Sequence, residues 1–342
     1  MSEDRVPGQI LAAFGLAGAR VERVPVGLIN RTFLVERGGE RFALQRLHPV
    51  FRPEVNEDIE AVTAHLERKR VTTPRPVRAR DGALSVSDEG GIWRVLTWID
   101  GSVVEHVTTP ELAREAGRML GRFHRALADL DHDFRFVRTG VHDTARHLAS
   151  LAAALEAHRD HALYGEIRAT GDAILAHGRA LPPMPPLPDR VVHGDPKISN
   201  VVFDASLAHA VALIDLDTVA RGRWPIELGD ALRSWCNPDG EDAPGASVDP
   251  ARFAAAVRAW RDEVGDLPTA AELGAIVPAL ETVALELSAR FCADALEERY
   301  FRWDPERFAM RAEHNLLRAR SQLSLAVSTS RSRERLGGGL AG

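Results

Sequence analysis

The first hundred residues alternate short apolar runs with polar and glycine-rich turns, a pattern typical of β-strands. Two β-rich runs, residues 32–36 and 41–47, flank the pair Gly38-Gly39, and this arrangement predicts a hairpin with a tight turn. Between residues 56 and 66, apolar side chains recur at spacings of three and four, which predicts one amphipathic helix. Two further short strands are predicted at residues 83–87 and 93–98.

Beyond residue 101 the pattern of apolar positions becomes helical. The run Thr109-Pro110-Glu111 predicts a helix start, because it combines a capping hydroxyl, a proline at the first helical position and an acid near the positive end of the helix dipole. A second helical run covers residues 144–180 and ends in a proline-rich spacer at 181–186. Apolar strands are predicted at 201–203 and 211–214, and helix from there to about residue 328.

The chain has 342 residues, a length that fits two domains or two lobes. The change of pattern near residue 100 predicts a small strand-rich lobe at 1–100 and a larger helical lobe at 101–330. The final segment, 331–342, contains three consecutive glycines and is predicted to be disordered.

Composition narrows the class of protein. Hydrophobic residues make up 45% of the chain and charged residues 27%, which excludes a wholly disordered or collagen-like chain. Two cysteines are too few for a disulfide framework or a four-cysteine zinc site. The net charge of −6 argues against nucleic acid as the main partner. Because no apolar run or leader-like start is evident, we expect a cytoplasmic protein with no membrane partner; its oligomeric state is open.

The segment 191–204 carries the most informative polar residues. Asp195 and Asn200 lie on a loop bracketed by apolar strands, and Asp215 follows the next strand. A hairpin of the two strands after this loop would bring Asn200 and Asp215 together, and two hard oxygen ligands suit Mg²⁺, which adds water and substrate phosphates. Asp195 can accept the proton of an attacking hydroxyl. With a cation such as Lys197, these are the parts needed for phosphoryl transfer from a nucleotide.

Asp-rich loops are usually turns, so the order and spacing of the residues have to decide between a turn and a site. Asp195 is followed by Lys197 two positions on and by Asn200 five positions on, then by strand, turn, strand and Asp215, and this order favours a site. Only two of the 43 basic residues are lysines, Lys69 and Lys197. Because lysine is a compact point charge and arginine a planar fork, we expect Lys197 to lie where a guanidinium does not fit.

These motifs resemble the aminoglycoside phosphotransferase and choline kinase superfamily, a relative of the protein kinases, and within it the N-acetylhexosamine 1-kinase group. The motifs that carry the resemblance stand at residues 193–200, 214–218, 229–233, 290–294, 300–301 and 315–320. The resemblance implies an α+β, bilobal, protein-kinase-like fold with a small antiparallel-sheet N-lobe and a larger, mainly helical C-lobe.

The resemblance also implies roles for the residues of the central motif. Asp195 is expected to be the catalytic base, and Lys197 to offset the charge of the transferring phosphoryl group. Asn200 and Asp215 are expected to hold Mg²⁺ against the phosphates of ATP. Three further residues are expected to support the loops: His193 through hydrogen bonds, Asp217 beside the metal or the loop, and Asp230 as the anchor of the catalytic loop.

The nucleotide is expected to bind beneath the N-terminal strands. The turn that covers it offers Gly27, followed by Asn30 and Thr32. Protein kinases place a lysine on the third strand against the phosphates, whereas here Gln45 occupies that place with Arg46 beside it. Either Gln45 or Arg46 could contact the phosphates, and the sequence leaves the choice open.

Two other parts of the nucleotide site follow from the same resemblance. A helix acid usually pairs with the strand-three lysine, and Glu57 and Glu60 are the candidates for that acid. Adenine is expected to bind backbone groups between the lobes, at Leu96, Thr97 and Trp98.

Candidate acceptor residues lie on a predicted helix near the end of the larger lobe. Arg290 and Asp294 are spaced i, i+4 and therefore share one face of it. The resemblance implies that these two residues contact a sugar. An ordinary ion pair between them within the helix is an equally weighted alternative. Ser199 and Ala295 replace the Asn and Tyr that the hexosamine kinases tend to carry, which predicts a reshaped pocket.

Together these observations predict an ATP- and Mg²⁺-dependent kinase that phosphorylates a sugar hydroxyl, namely the anomeric hydroxyl of an N-acetylhexosamine or related hexose. Its partners would be the nucleotide and a small-molecule acceptor. Two alternatives stay open. The acceptor could be an aminoglycoside or an amino alcohol similar to choline or homoserine. The chain could also be a nucleotide-binding pseudokinase, which the missing lysine at Gln45 favours and the intact set Asp195, Asn200 and Asp215 opposes.

Overall fold

A computed structural model describes residues 6–24 and 30–338 of the protein. Its N-terminal part contains two helices, α1 (Gly8–Ala13) and α2 (Val55–Arg68), and six strands: β1 (Arg20–Val24), β2 (Arg31–Arg37), β3 (Glu40–Arg46), β4 (Pro76–Val77), β5 (Val86–Asp88) and β6 (Gly91–Thr97). The strands form one antiparallel sheet in the order β1-β2-β3-β6-β4, with β5 also paired to β6.

The local signals in this part of the sequence are confirmed. Strands β2 and β3 form the predicted hairpin, with Thr32 opposite Gln45 and Arg37 opposite Glu40 across the glycine turn. The helix predicted from apolar spacing is α2, and the two predicted short strands correspond to β5 and β6. Helix α1 had no signal in the sequence.

The two faces of the sheet have different chemistry because side chains alternate along each strand. One face buries Phe33 and Leu44 against Ile10 of α1. The opposite face carries Gln45 and Arg94, which stand opposite each other on β3 and β6. This second face is directed toward α2 and the helical remainder of the chain.

The remainder of the chain is mainly helical, as predicted. Its helices are α3 (Pro110–Leu127), α4 (Thr144–Ala157), α5 (Tyr164–Ala180), α6 (Trp224–Trp235), α7 (Pro250–Val264), α8 (Ala270–Glu297), α9 (Arg311–Arg331) and α10 (Arg333–Gly338). Helix α3 begins at the predicted residue, where the Thr109 hydroxyl accepts a hydrogen bond from the Leu112 N–H at 3.3 Å. Helix α8 packs against α4, α5, α6 and α9. In the part of the chain that the structure describes, no helix combines the length and apolar character that crossing a bilayer requires.

The helical run predicted over residues 144–180 is two helices rather than one. Helix α4 ends at Ala157 and α5 begins at Tyr164. The residues just after α4 are His-Arg-Asp-His, and His161 donates its N–H to the His158 carbonyl at 3.1 Å to close a turn. Since these four polar residues have no apolar surface to bury, the chain turns here and packs α5 beside α4.

The C-terminal segment differs from its prediction. Residues 331–338, predicted to be disordered, contain the end of α9 and the short helix α10. Leu336 is buried in the core, and Arg333 donates to Glu281 of α8 at 2.5 Å. These contacts offset the weak helix propensity of the glycines. Residues 339–342 of the predicted tail lie outside the described residues.

Two small antiparallel pairs lie among the helices. Strand β7 (Arg190–Val192) pairs with β10 (Ala220–Gly222), and β8 (Val201–Phe203) pairs with β9 (Ala210–Leu213), the pair predicted from the sequence. The pairing of β8 with β9 brings the two connecting loops together, because the Ile214 N–H donates to the Asn200 carbonyl at 2.9 Å. The polar residues of both loops therefore meet at one place.

The connector between the sheet and the helices is fixed against β8. Ser102 and Phe203 exchange two backbone hydrogen bonds, each of 2.8 Å. The preceding residue, Gly101, has φ +151, and a Cβ there would stand 2.2 Å from the Phe203 carbonyl oxygen. Only glycine therefore allows the connector to approach the strand this closely.

We predict that Gly101→Ala lowers the free energy of unfolding by about 2–4 kcal/mol, because the added methyl group forces the connector away from Phe203. Denaturant unfolding followed by circular dichroism measures this loss. Gly82→Ala is the matched control: Gly82 also has positive φ (+89), but its Cβ would meet nothing within 4 Å. Equal losses in the two variants would contradict the contact with Phe203 as the cause.

Candidate active site

The loop that follows β7 is locked to the loop that follows β9. Gly194 has φ +83, and a Cβ at this position would lie 2.4 Å from the Thr218 carbonyl oxygen. The Thr218 hydroxyl in turn donates to the His193 carbonyl at 2.9 Å. The backbones of the two loops are thus in direct contact, which fixes the side chains that each loop carries.

Asp195 stands at the centre of this loop with its charge partly compensated. Its Oδ2 accepts hydrogen bonds from Lys197 Nζ at 2.5 Å and from Asn200 Nδ2 at 3.2 Å. Burial lowers the pKa of Lys197, but the charges of Asp195 and Asp215 outweigh it, so the net pKa is raised and the ammonium stays charged. The sequence prediction that these four residues come together is consistent with this geometry.

The anchor of the loop is Glu227 of α6, which sequence reasoning missed. Its carboxylate is buried and accepts the backbone N–H of His193 at 2.7 Å and of Gly194 at 3.2 Å. The His124 ring lies 3.3 Å from the same carboxylate. The sequence assigned this anchoring to Asp230, but Asp230 instead receives the guanidinium of Arg233.

His193 holds the loop through both ring nitrogens, as predicted. Nδ1 accepts the backbone N–H of Asp195 at 3.3 Å, and Nε2 donates to the Ile214 carbonyl at 3.0 Å. Burial lowers the pKa of His193, and the neutral ring is the form that can both donate and accept in this way. His193 therefore connects the loop of Asp195 to the end of β9.

Asp215 is held in an unusual backbone conformation at the end of β9. Its φ and ψ are 67° and 57°, the left-handed region that non-glycine residues rarely adopt. Burial and the charges of Asp217 and Asp195 raise the pKa of Asp215 to about 7. Among the described residues its carboxylate has no hydrogen-bond or ion-pair partner. This corner therefore holds more negative charge than its own cations neutralise.

The donor set at this corner fits a hard cation. Asn200 uses Nδ2 to bind Asp195, which leaves its Oδ1 without a hydrogen-bond partner among the described residues, and its backbone carbonyl binds the N–H of Ile214, the residue before Asp215. Within residues 6–24 and 30–338 no group of three or more His, Cys, Asp or Glu side chains could hold a metal by itself. Two oxygens are the number that Mg²⁺ takes from proteins when water and substrate phosphates supply the other ligands.

Gln45, which takes the place of the kinase lysine, is occupied by other side chains. Its Oε1 accepts two hydrogen bonds from Arg94, at 2.9 and 2.7 Å, and its Nε2 donates to the Thr32 hydroxyl at 3.1 Å. Arg46 points to the other face of the sheet and packs beside the turn at Gly91. Neither side chain has a free group directed at the loop of Asp195.

Of two further predicted nucleotide contacts, Asn30 and Gly27, Asn30 lies near the same face. Asn30 donates from Nδ2 to Asp217 Oδ2 at 2.6 Å and accepts the His48 N–H at 3.0 Å. Gly27 lies outside the described residues. Asn30 is therefore fixed to the loop that carries Asp215 and Asp217.

The backbone groups expected to bind adenine are partly used within the sheet. Leu96 of β6 pairs with Ala43 of β3 and Pro76 of β4, the Thr97 N–H donates to the Arg75 carbonyl at 2.8 Å, and the Trp98 N–H donates to the Arg41 carbonyl at 3.2 Å. The next residues, 99–101, have N–H groups without a partner among the described residues. Adenine binding at Leu96, Thr97 and Trp98 therefore stays a prediction.

Arg290 and Asp294 both line the cavity described below but do not form the ion pair that was the alternative interpretation. The Arg290 guanidinium lies over the ring of Phe301, 5.3 Å from its centroid, and over Tyr300 at 5.7 Å. Asp294 is buried and accepts the backbone N–H groups of Tyr300 and Phe301 at 2.7 and 2.8 Å, together with Nδ2 of Asn315 at 2.9 Å. Asp294 thus positions the aromatic residues against Arg290 and has no oxygen without a partner.

An open cavity of about 1160 Å³ joins these parts. Its lining includes Asp195 and Asp215, and also Arg290 with Tyr300 and Phe301. Four of the arginines that line it have guanidinium groups with neither an ion-pair nor a hydrogen-bond partner among the described residues: Arg138, Arg146, Arg223 and Arg290. The cavity is large enough for a drug-sized molecule.

A small antiparallel sheet and a larger helical body, with a hydrogen-bonded loop that carries Asp195 and Lys197 beside Asp215, are typical of a kinase-like phosphotransferase. Residues 20–273 match the model of the APH family, described as a phosphotransferase enzyme family. The chain belongs to this family. It is therefore a small-molecule phosphotransferase of the aminoglycoside phosphotransferase and choline kinase superfamily, with a hydroxyl group as acceptor.

Solved structures with the same fold extend along nearly the whole chain. An aminoglycoside phosphotransferase from Alicyclobacillus acidocaldarius is 16% identical, with a TM-score of 0.64 over 97% of both chains. A microcompartment-associated aminopropanol kinase is 20% identical, with a TM-score of 0.65 over 96% of this chain and 97% of that chain. The amicoumacin kinase hAmiN, in complex with AMP-PNP, Ca²⁺ and Ami, is 14% identical, with a TM-score of 0.58 over 89% and 90%. At these sequence identities, the similarity shows a shared fold and nothing more.

We predict that Glu227→Gln lowers kcat by about 100-fold, because an amide cannot accept both N–H groups and the loop of Asp195 shifts by about 1 Å. Steady-state assays and a thermal melt measure the two effects separately. Glu115→Gln is the control, since Glu115 is a buried carboxylate of α3 that binds Arg118 at 2.6 Å and contacts neither loop. Equal losses of kcat in both variants would contradict the anchoring role.

Proposed function

We propose that the protein transfers the γ-phosphate of ATP to the anomeric hydroxyl of an N-acetylhexosamine or a related hexose. The observation that carries the proposal is a single cavity lined by Asp195 and Asp215 and by Arg290 with its aromatic partners, with Lys197 and Asn200 bound to Asp195 beside it. The sequence resemblance to N-acetylhexosamine 1-kinases supports the choice of acceptor. An aromatic and guanidinium wall suits a sugar, whose rings present both C–H faces and hydroxyl groups.

The proposed reaction is a direct in-line transfer. The acceptor oxygen forms a bond to the γ-phosphorus, the bond from that phosphorus to the bridging oxygen breaks, and ADP leaves. Asp195 orients the acceptor hydroxyl and takes its proton. Lys197, held beside Asp195 at 2.5 Å, stabilises the negative charge on the transferring group.

Mg²⁺ fits this proposal at Asn200 and Asp215, where it would neutralise charge on the nucleotide phosphates. The free Oδ1 of Asn200 and the unpaired carboxylate of Asp215 are the groups that would hold it. The raised pKa of Asp215, about 7, is expected to fall when a divalent cation lies beside the carboxylate. The complex of hAmiN with AMP-PNP supports a nucleoside triphosphate as the donor in this fold. Adenine is proposed to bind the backbone at residues 99–101.

The second candidate acceptor is an amino alcohol or an aminoglycoside, which the names of the similar structures favour. These acceptors are cationic and require carboxylates in the pocket. The lining carboxylates of α8 are already engaged: Glu286 with His142 and Thr144, Asp294 with backbone N–H groups, and Glu297 with Arg299. Because unpaired arginines line the same cavity, a neutral sugar fits it better than a polycation.

We predict that Asp195→Asn lowers kcat by about 10²- to 10⁴-fold, because an amide cannot take the proton. Binding of Mg-ADP should stay close to that of the wild type, since the metal oxygens are retained. Asp204→Asn is the matched control: Asp204 directly follows β8, the strand after the loop of Asp195, but binds only residues of its own turn, such as Ser206 and His209. An Asp195→Asn enzyme with a wild-type rate would refute the assignment of the base.

The acceptor is tested by ADP release with Mg-ATP across N-acetylhexosamines, plain hexoses, aminoglycosides and choline-like alcohols. We expect turnover on reducing sugars that is lost when the anomeric oxygen is methylated. Turnover restricted to aminoglycosides or amino alcohols would refute the sugar and retain the mechanism. Nucleotide binding with no ATP turnover, even as hydrolysis, would favour the pseudokinase.

A further inference from the structure

A buried ion pair connects the sheet to the loop that carries Asp215. Arg94 of β6 contacts Asp217 through two parallel hydrogen bonds, from Nη1 to Oδ1 at 2.5 Å and from Nη2 to Oδ2 at 2.8 Å. Both side chains are 2% exposed. Asn30 donates a third hydrogen bond to the same carboxylate at 2.6 Å. Such a bidentate contact between a guanidinium and a carboxylate is a strong and highly directional form of ion pair.

Arg94 is itself held on several sides. Gln45 of β3 accepts hydrogen bonds from its Nε and Nη2, and Asn56 of α2 lies 3.4 Å from its Nη1. The guanidinium is therefore fixed by a neighbouring strand, by α2 and by Asp217. Its position leaves it no freedom to turn toward a ligand in the cavity, whose lining does not include it.

The pair that protein kinases make here, a strand-three lysine with a helix acid, has no counterpart at the expected residues. Gln45 replaces the lysine, and the two candidate acids of α2 face other partners. Glu57 pairs with Arg135 at 2.9 Å, and Glu60 pairs with Arg78 at 2.5 Å. The only cation on this face of the sheet that is joined to the loop of Asp215 within the described residues is Arg94.

We propose that Arg94 is a positioning residue of the phosphotransfer site and that its pair with Asp217 does the work of the missing lysine pair. The inference rests on the proposed use of Asp215 as a ligand of Mg²⁺. Asp217 lies in the one-turn 3₁₀ helix Leu216–Thr218 that directly follows Asp215, so fixing Asp217 fixes the backbone that holds Asp215 in its left-handed conformation. Asn30 joins the end of the nucleotide-covering turn to the same carboxylate. The anchored carboxylate of Asp217 therefore positions both Asp215 and the end of the turn that is proposed to cover the nucleotide.

Fold stability alone does not account for this pair. A buried ion pair is often no more stabilising than well-packed apolar residues of similar volume, whereas removal of one partner leaves a costly unpaired charge. Replacing both partners at once is therefore the informative change. The double variant Arg94→Met with Asp217→Leu removes both charges and keeps apolar volume in the buried site.

The experiment compares the ratio of the ADP dissociation constants without and with Mg²⁺, together with kcat and the thermal melt. For the double variant we expect a melting temperature near that of the wild type, a fall in kcat of about 100-fold, and a ratio that drops toward one. The control is Glu115→Leu with Arg118→Met, which removes an ion pair of α3 with a buried carboxylate and a half-buried guanidinium, far in sequence from both loops. Its ratio and kcat should match those of the wild type.

Arg94→Lys keeps the charge and gives a second, less disruptive test if the double variant does not fold. A point charge cannot make both hydrogen bonds, so we expect about 10-fold losses in kcat and in the Mg²⁺ ratio. A folded double variant, or a folded Arg94→Lys, with both quantities unchanged would overturn the proposal. The ratio of ADP dissociation constants is measured without an acceptor, so it tests Arg94 even if the proposed sugar acceptor is wrong. A ratio of one in the wild-type protein would refute the metal site itself.

Discussion

The loops that carry Asp195 and Asp215 are buried, and buried backbone polar groups must find hydrogen-bond partners. Much of the architecture around the site meets this requirement. Glu227 accepts two N–H groups of the first loop, and His193 bridges that loop to the end of β9. Gly194 lets the loops touch. The side chains of the two loops are fixed because several backbone groups beneath them are hydrogen-bonded.

The second requirement is charge balance in a poorly hydrated corner. Three carboxylates, Asp195, Asp215 and Asp217, stand against two cations, Lys197 and Arg94. Each cation has one carboxylate as its close partner, which leaves Asp215 unpaired and with a raised pKa. The excess of one negative charge is the electrostatic basis of the proposal that a divalent ion binds at this corner.

Local signals made much of the fold predictable. The glycine hairpin, the capped start of α3 and the β8–β9 pair depend on residues that are close in sequence. The candidate residues Asp195, Lys197 and Asn200 are also close in sequence, and the predicted pairing of β8 with β9 extends the cluster to Asp215. Glu227 and Arg94 were missed because their partners are distant in sequence. A signal was nevertheless present: Arg94 is a charge within an otherwise apolar strand, and Glu227 lies between two apolar residues of a buried helix. A charge on a buried face indicates a long-range partner but does not name it.

The connector at Gly101 and Ser102 has a consequence for motion. It joins the sheet to the helical body at Phe203, and the contact of Arg94 with Asp217 joins the sheet to the loop of Asp215. Helix α2 adds contacts at a third place, where His65 lies 2.9 Å from Asp129 and Asp58 accepts the Phe136 N–H at 2.8 Å. Any opening of the sheet away from the helical body therefore has to break at least one of these three sets of contacts. Asp195 and Lys197 both lie on the helical side, so the distance between them does not depend on such an opening.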